Sequence, residues 1–182
     1  RFAVGHTPEI AARHYADIPS LRPLHEATIA DAFSEVVAVA APIILAPADE
    51  ESWRQCDAAP EEHKERDGIL RGEQDVWLAA CSGFDRSPFG APGTPCPQPF
   101  WGCLECRNAV ITARKLPAII AFQQFIEEQR ASLSASDWSM KFGRAHARIA
   151  GQVLPACPES RVAAARREAE VHVLYLPPEA RQ

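Results

Sequence analysis

Apolar residues recur every three or four positions along several stretches of this chain and lose that rhythm between them. Leu24, Ile29, Phe33, Val36, Val37 and Ala40 give an apolar side to a predicted helix from about Pro23 to Ala41, leaving Glu26, Asp31 and Glu35 to solvent. Leu116, Ile119, Ile120, Phe122, Ile126 and Leu133 mark a wider stripe that ends near Ser134. Ser134 or Ser136, with Asp137, is placed to cap a further helix over Trp138 to Val153. A last helix is expected after Pro158, through Val162 to Glu168, and Val171 to Leu176 reads either as a strand or as a docked extended tail. Near the start, Thr7-Pro8-Glu9 offers a capping hydroxyl, a proline for the first helical position and an acid at the positive end. That predicts a short helix to about Ala16, stopped before Pro19. The pattern is that of a mainly α protein.

Between these elements the rhythm fails in two places. Residues 48–72 are polar and acid-rich, which predicts a loop and then a short helix over Glu61 to Leu70. From Cys81 to Cys106, five prolines and four glycines leave no room for a regular element, and the segment is expected to have little core of its own. Three segments follow: 1–47 with the two N-terminal helices, 48–80 as an acidic linker with its short helix, and 81–182 as a cysteine-rich segment with a small helical module. No internal repeat is present.

With 182 residues, 47% of them hydrophobic, the chain can bury one ordinary core or two small ones. Residues 1–102 hold 8 Lys/Arg against 16 Asp/Glu, and residues 103–182 hold 11 against 8. A strongly basic nucleic-acid face is therefore absent in bulk, and any DNA contact has to come from local clusters. The most apolar run, Val36 to Pro47, is too short to span a bilayer and is broken by Pro42. The expectation is no membrane contact and a cytoplasmic location. The chain starts at Arg1 and its sole methionine is Met140, so it reads as a piece of a longer protein.

Cys81, Cys96, Cys103 and Cys106 are separated by 14, 6 and 2 residues, and the last two form a Cys-x-x-Cys knuckle in GCLECRN. Such a turn points two thiolates at one metal, and two more cysteines nearby complete a four-thiolate set. Zinc binding supplies about 10 kcal/mol or more of folding free energy, which a segment without apolar periodicity needs. Structural zinc is the expected metal, with an iron–sulfur cluster as the alternative, since four thiolates suit both. Four unlinked thiols is the plainer reading. Cys56 and Cys157 stand apart.

The stretch GHTPEIAARHYADI places His6 nine residues before Tyr15 across one capped helix. Over its whole length it resembles the last catalytic box of the tyrosine recombinases, the phage-integrase family, in which a glycine–histidine precedes the nucleophilic tyrosine by the same interval. The resemblance implies Tyr15 as nucleophile, a 3′-phosphotyrosyl intermediate, and His6 as the histidine beside the scissile phosphate. A phenol with an unperturbed pKa of about 10 needs such help. The family also uses an earlier arginine and a His-x-x-Arg pair upstream of this box, and neither occurs in residues 1–182 in that order. Arg13 matches no family catalytic position. The polypeptide is therefore expected to be inactive alone, and to meet double-stranded DNA and other recombinase protomers only as part of the complete protein. The helix from Pro23 would pack either in cis or on a neighbouring protomer. The stretch from Ser87 to Phe122 resembles, more loosely, a cysteine-containing C-terminal extension of some integrase homologues. Arg107, Arg114 and Lys115, or Lys141, Arg144, His146 and Arg148, are candidate phosphate contacts or else simply solvated helix faces. The competing class of function is a metal-stapled helical module that binds DNA or protein without catalysis.

Overall fold

Three short strands divide the core of the C-terminal part into two sides. The computed structural model describes residues 23, 26–28, 41–57, 59–173 and 176–177. The chain separates into two compact units, 1–40 and 41–182. In the first, Pro23 and residues 26–28 are helical, and the stretch expected to form a helix from Thr7 to Ala16, with His6 and Tyr15, lies outside the described residues.

Strands β1 (Ile43–Ile44), β2 (Ala80–Cys81) and β3 (Ala109–Ile111) form a sheet in the order β1-β3-β2. β1 runs parallel to β3, with Ile43 opposite Val110, and β2 runs antiparallel, with Cys81 opposite Ala109. All three residues of β3 are buried. Ala109 and Ile111 join the larger core, while Val110 meets Leu45, Ile69 and Ala80 in a smaller one on the other face. A strand buried on both faces reads as a continuous apolar run rather than an alternation. For that reason Ala109-Val110-Ile111 carried no strand signal in the sequence. β1 also draws residues 43–44 into this unit, although the sequence groups them with the N-terminal segment.

The acidic stretch holds two helices, not one. α1 spans Glu50–Gln55 and α2 spans Pro60–Arg71. Pro60 opens α2, Glu61 and Glu62 complement its positive end, and Gly72 closes it at φ 85°. There the Gly72 N–H donates to the Ile69 carbonyl and the Glu73 N–H to the Gly68 carbonyl. Arg66 donates from Nη1 to the carbonyls of Trp53 (3.1 Å) and Cys56 (3.0 Å), tying α2 back to α1. With Ile69 buried and Trp53 and Leu70 packed beside it, this region covers one face of the sheet instead of bridging two domains.

On the other face, α3 (Leu116–Glu128) is buried on almost every side and packs most extensively against α6 (Glu159–Val173). Val162, Ala165 and Ala169 of α6 are buried at that contact. Between them run α4 (Ala135–Trp138) and α5 (Arg144–Arg148), each followed by a π-turn, Ser139–Gly143 and Ile149–Val153. Ser134 is the cap of α4, its hydroxyl accepting the Asp137 N–H at 3.1 Å. α3 ends at Glu128, short of the expected Ser134, because a 3₁₀ turn over Gln129–Ala131 takes over. α6 continues helical through Val173, so the strand reading of 171–176 fails, and Leu176 beyond it is buried against the larger core.

Phe122 is the centre of that core, fully buried, with the rings of Trp77, Phe100, Trp101, Phe125 and Phe142 at centroid distances of 5.1 to 6.5 Å. This corrects the expectation that residues 81–106 contribute little. A 3₁₀ turn over Phe100–Glu105 inserts both aromatic residues and fully buries Leu104. The unit is mainly helical, as the periodicity predicts, and no described helix is long and apolar enough to cross a membrane.

Candidate metal centre

Each of the four spaced cysteines is held by a different local device. Cys103 sits in the 3₁₀ turn, and Cys106 ends it, its N–H donating to the Cys103 carbonyl at 3.4 Å. The Ala109 N–H then returns to the Cys106 carbonyl at 3.0 Å, so the chain turns sharply from the knuckle into β3. Sheet register does the rest. Because β2 pairs Cys81 with Ala109, a cysteine 25 residues upstream in the sequence arrives beside the knuckle. Cys96 comes from the proline-rich loop, where its sulfur lies 3.2 Å from the Ser87 hydroxyl. That hydroxyl also accepts the Phe89 N–H at 3.2 Å.

Asn108 pins the start of this loop. Its side-chain amide donates to the carbonyls of Gly83 (3.2 Å) and Arg86 (3.0 Å), while its own carbonyl accepts from the N–H (2.8 Å) and hydroxyl (3.2 Å) of Ser82. Close approach here leaves no room for a side chain at Gly83, whose Cβ would meet Asn108 Nδ2 at 3.0 Å. Ser87 and Asn108 are the residues that sequence reasoning missed. Asn108 directly follows the knuckle and had a positional signal; Ser87, nine residues from Cys96, had none.

All four cysteines line one cavity of about 280 Å³, together with Phe84, Phe89 and other residues. Burial, and then the charges of Cys81, Cys106 and Cys96, push the Cys103 thiol up to about 12. Burial also raises the Cys106 thiol, against the pull of the backbone N–H groups of Asn108 and Ala109. Cys103 and Cys106 therefore favour the protonated form in the absence of a cation. Yet the four thiols do not converge on a point. Among the described residues, no group of three or more His, Cys, Asp or Glu side chains is gathered closely enough to hold a single metal ion. All the described cysteines are free thiols.

Six of the seven basic candidates have partners within the fold, and Arg107 is exposed. Arg114 donates to the carbonyls of Leu70 (2.7 Å) and Ile69 (3.1 Å) and pairs with Asp75 at 2.9 Å, where Lys115 also reaches Asp75 at 2.9 Å and donates to the Val76 carbonyl at 2.6 Å. Burial pushes the Asp75 carboxyl up, but hydrogen bonds from both cations outweigh it and hold the carboxyl below its usual range. Arg144 pairs with Glu105 at 3.1 Å, His146 with Glu127, and Arg148 bonds Gln152 at 2.6 Å. Lys141 stands over the rings of Phe142 (5.1 Å) and Trp101 (5.9 Å). Tyr15 and His6 lie outside the described residues. The chain matches no protein-family model, no curated protein and no solved structure.

Proposed function

We propose that the chain is the nucleophile-bearing end of a site-specific DNA recombinase of the tyrosine type, followed by a cysteine-stapled helical module. The observation that carries this reading is the sequence motif Gly5-His6 with Tyr15 nine residues after the histidine, across the helix-start signal Thr7-Pro8-Glu9. In this reaction the Tyr15 oxygen attacks a DNA phosphorus, forming a phosphotyrosyl bond to the 3′ side. The bond from phosphorus to the 5′ oxygen breaks, and that oxygen leaves with a proton. A second 5′ hydroxyl then reverses the step and frees the tyrosine. His6 would donate a hydrogen bond to the phosphate as negative charge grows on it. The arginine and His-x-x-Arg that neutralise the remaining charge in this family have to be supplied from outside residues 1–182. Recombinase protomers and double-stranded DNA are the partners this chemistry requires.

Two measurements test the proposal. The reading frame encoded before Arg1 is expected to contain those cationic residues; a frame without them removes the catalytic reading. With that core attached, a nicked suicide substrate is expected to trap an SDS-stable protein–DNA adduct, and Tyr15→Phe is expected to abolish it. An adduct that survives the substitution assigns the nucleophile elsewhere.

The second reading, a metal-stapled binding module without catalysis, is supported by the gathering of four thiols around one cavity. It predicts that the 182-residue chain shifts duplex DNA, or captures a protein, with unchanged affinity after Tyr15→Phe. It also predicts that Cys103→Ser weakens that binding.

A further inference from the structure

The four-thiol cavity is too roomy for the ion that its sequence spacing first brings to mind. Zinc holds sulfur at about 2.3 Å in a tetrahedron, which brings the four sulfurs to about 3.8 Å from one another and leaves no space between them. Here the four cysteines instead are among the residues that line a cavity of about 280 Å³, room for several waters, and no three of them converge as a single ion requires. Among the described residues the thiols make no hydrogen bond to one another; the Ser87 hydroxyl stands beside Cys96, and backbone N–H groups beside Cys103 and Cys106. A cubane of iron and sulfide interposes its own atoms between its ligands and keeps the cysteine sulfurs apart. Much of the cavity wall is apolar. Phe84 and Phe89 line it while remaining 54% and 44% exposed, and Phe100 and Pro99 close another side. Such a lining suits the body of a cluster, whose sulfides need little hydrogen bonding and whose stability falls with exposure to water.

We propose that Cys81, Cys96, Cys103 and Cys106 hold a four-iron, four-sulfide cluster in place of a single zinc ion. This rests on the reading of the four thiols as one site, and is independent of the strand-transfer chemistry assigned to Tyr15. Each cysteine loses its proton on binding iron. Ser87 then acts on the cluster through Cys96, since hydrogen bonds to ligand sulfur favour the reduced, more negative state.

The test is anaerobic reconstitution of the 182-residue chain with ferric iron, sulfide and a thiol that reduces half of the iron to the ferrous state, beside a parallel incubation with zinc. The expected product is brown, carries about four irons and four acid-labile sulfides per chain, and bleaches on reduction with dithionite. Cys103→Ser and Cys106→Ser are expected to lose the colour, whereas Cys56→Ser keeps it. Ser87→Ala is expected to keep the cluster at full stoichiometry while shifting its reduction potential to more negative values, a change that a merely structural serine would not produce. One tightly bound zinc per chain, with no iron or sulfide retained, overturns the cluster and leaves the shared thiol site standing. Binding of neither metal, or retention unaffected by Cys103→Ser, overturns both.

Discussion

Thr112 is buried, and among the described residues its hydroxyl has no hydrogen-bond partner. It follows β3 directly and its carbonyl accepts the Lys115 N–H, so the carbonyl is satisfied while the side chain is not. An unsatisfied buried hydroxyl costs about 1–3 kcal/mol, and valine replaces it with a methyl of nearly the same shape. Thr112→Val is therefore expected to stabilise the chain by about 1 kcal/mol, seen as a higher denaturant midpoint with an unchanged slope. Gly72 makes the opposite case. Its φ of 85° disfavours any side chain, and an added Cβ would stand 3.3 Å from both Arg114 Nη2 and Asp75 Oδ2. Gly72→Ala is expected to lower stability by about 1 kcal/mol or more in the same assay. Single residues of this kind were only partly legible in the sequence. A glycine after Arg71 at a helix end announces itself, but nothing in Thr112 says that its hydroxyl will be orphaned.

Among the elements, the join between α2, the hairpin leading into β2 and the start of α3 depends on Asp75 and its two cations. The Asp75 carboxyl is held low in the folded state, so it adds stability above its unfolded pKa of about 3.9. That contribution fades as pH falls through the folded value. Asp75→Asn is expected to lower stability at neutral pH and to flatten the acid limb of a stability–pH profile, leaving little difference from the parent at the lowest pH. A second join is made by Trp138, whose indole N–H donates to the Ile126 carbonyl at 2.5 Å while Arg130 lies over its ring at 3.4 Å. Trp138→Phe keeps the ring and removes the donor, and a loss of about 1–2 kcal/mol is expected by thermal unfolding. Helices were the legible elements because a 3.6-residue period survives any arrangement of neighbours. Two- and three-residue strands have no period to show, and Ala80-Cys81 or Ile43-Ile44 becomes a strand only when β3 lies beside it.

For the whole molecule, one aromatic cluster joins the helical half to the cysteine-bearing half. Phe122 from α3 meets Phe100 and Trp101 from the turn that carries Cys103. Phe122→Ala is expected to cost about 3–5 kcal/mol, measured by the unfolding midpoint, and to impair loading of the proposed cluster, measured as iron per chain. The spacing of the four cysteines raised the expectation of one group, and all four line one cavity. The sequence could not show how widely they stand, because that separation is set by the register of β2 on β3 and by the bond from Ser87. Nor could it show that Arg114 and Lys115 are spent on Asp75, whose place 39 residues earlier is fixed by tertiary structure alone.

The position of β1 has a practical consequence for anyone isolating the C-terminal unit. Ile43 and Ile44 pair with the flank of β3 that β2 leaves free, and the Leu45 N–H donates to the Ile111 carbonyl at 2.9 Å. A shortened chain that starts at residue 48, where the acidic stretch begins, would strip that flank and bare a row of unsatisfied peptide groups beside Val110. Such a product should self-associate edge to edge, whereas one starting at Ala41 should stay dispersed. The natural place to trim lies a few residues before the obvious change in composition.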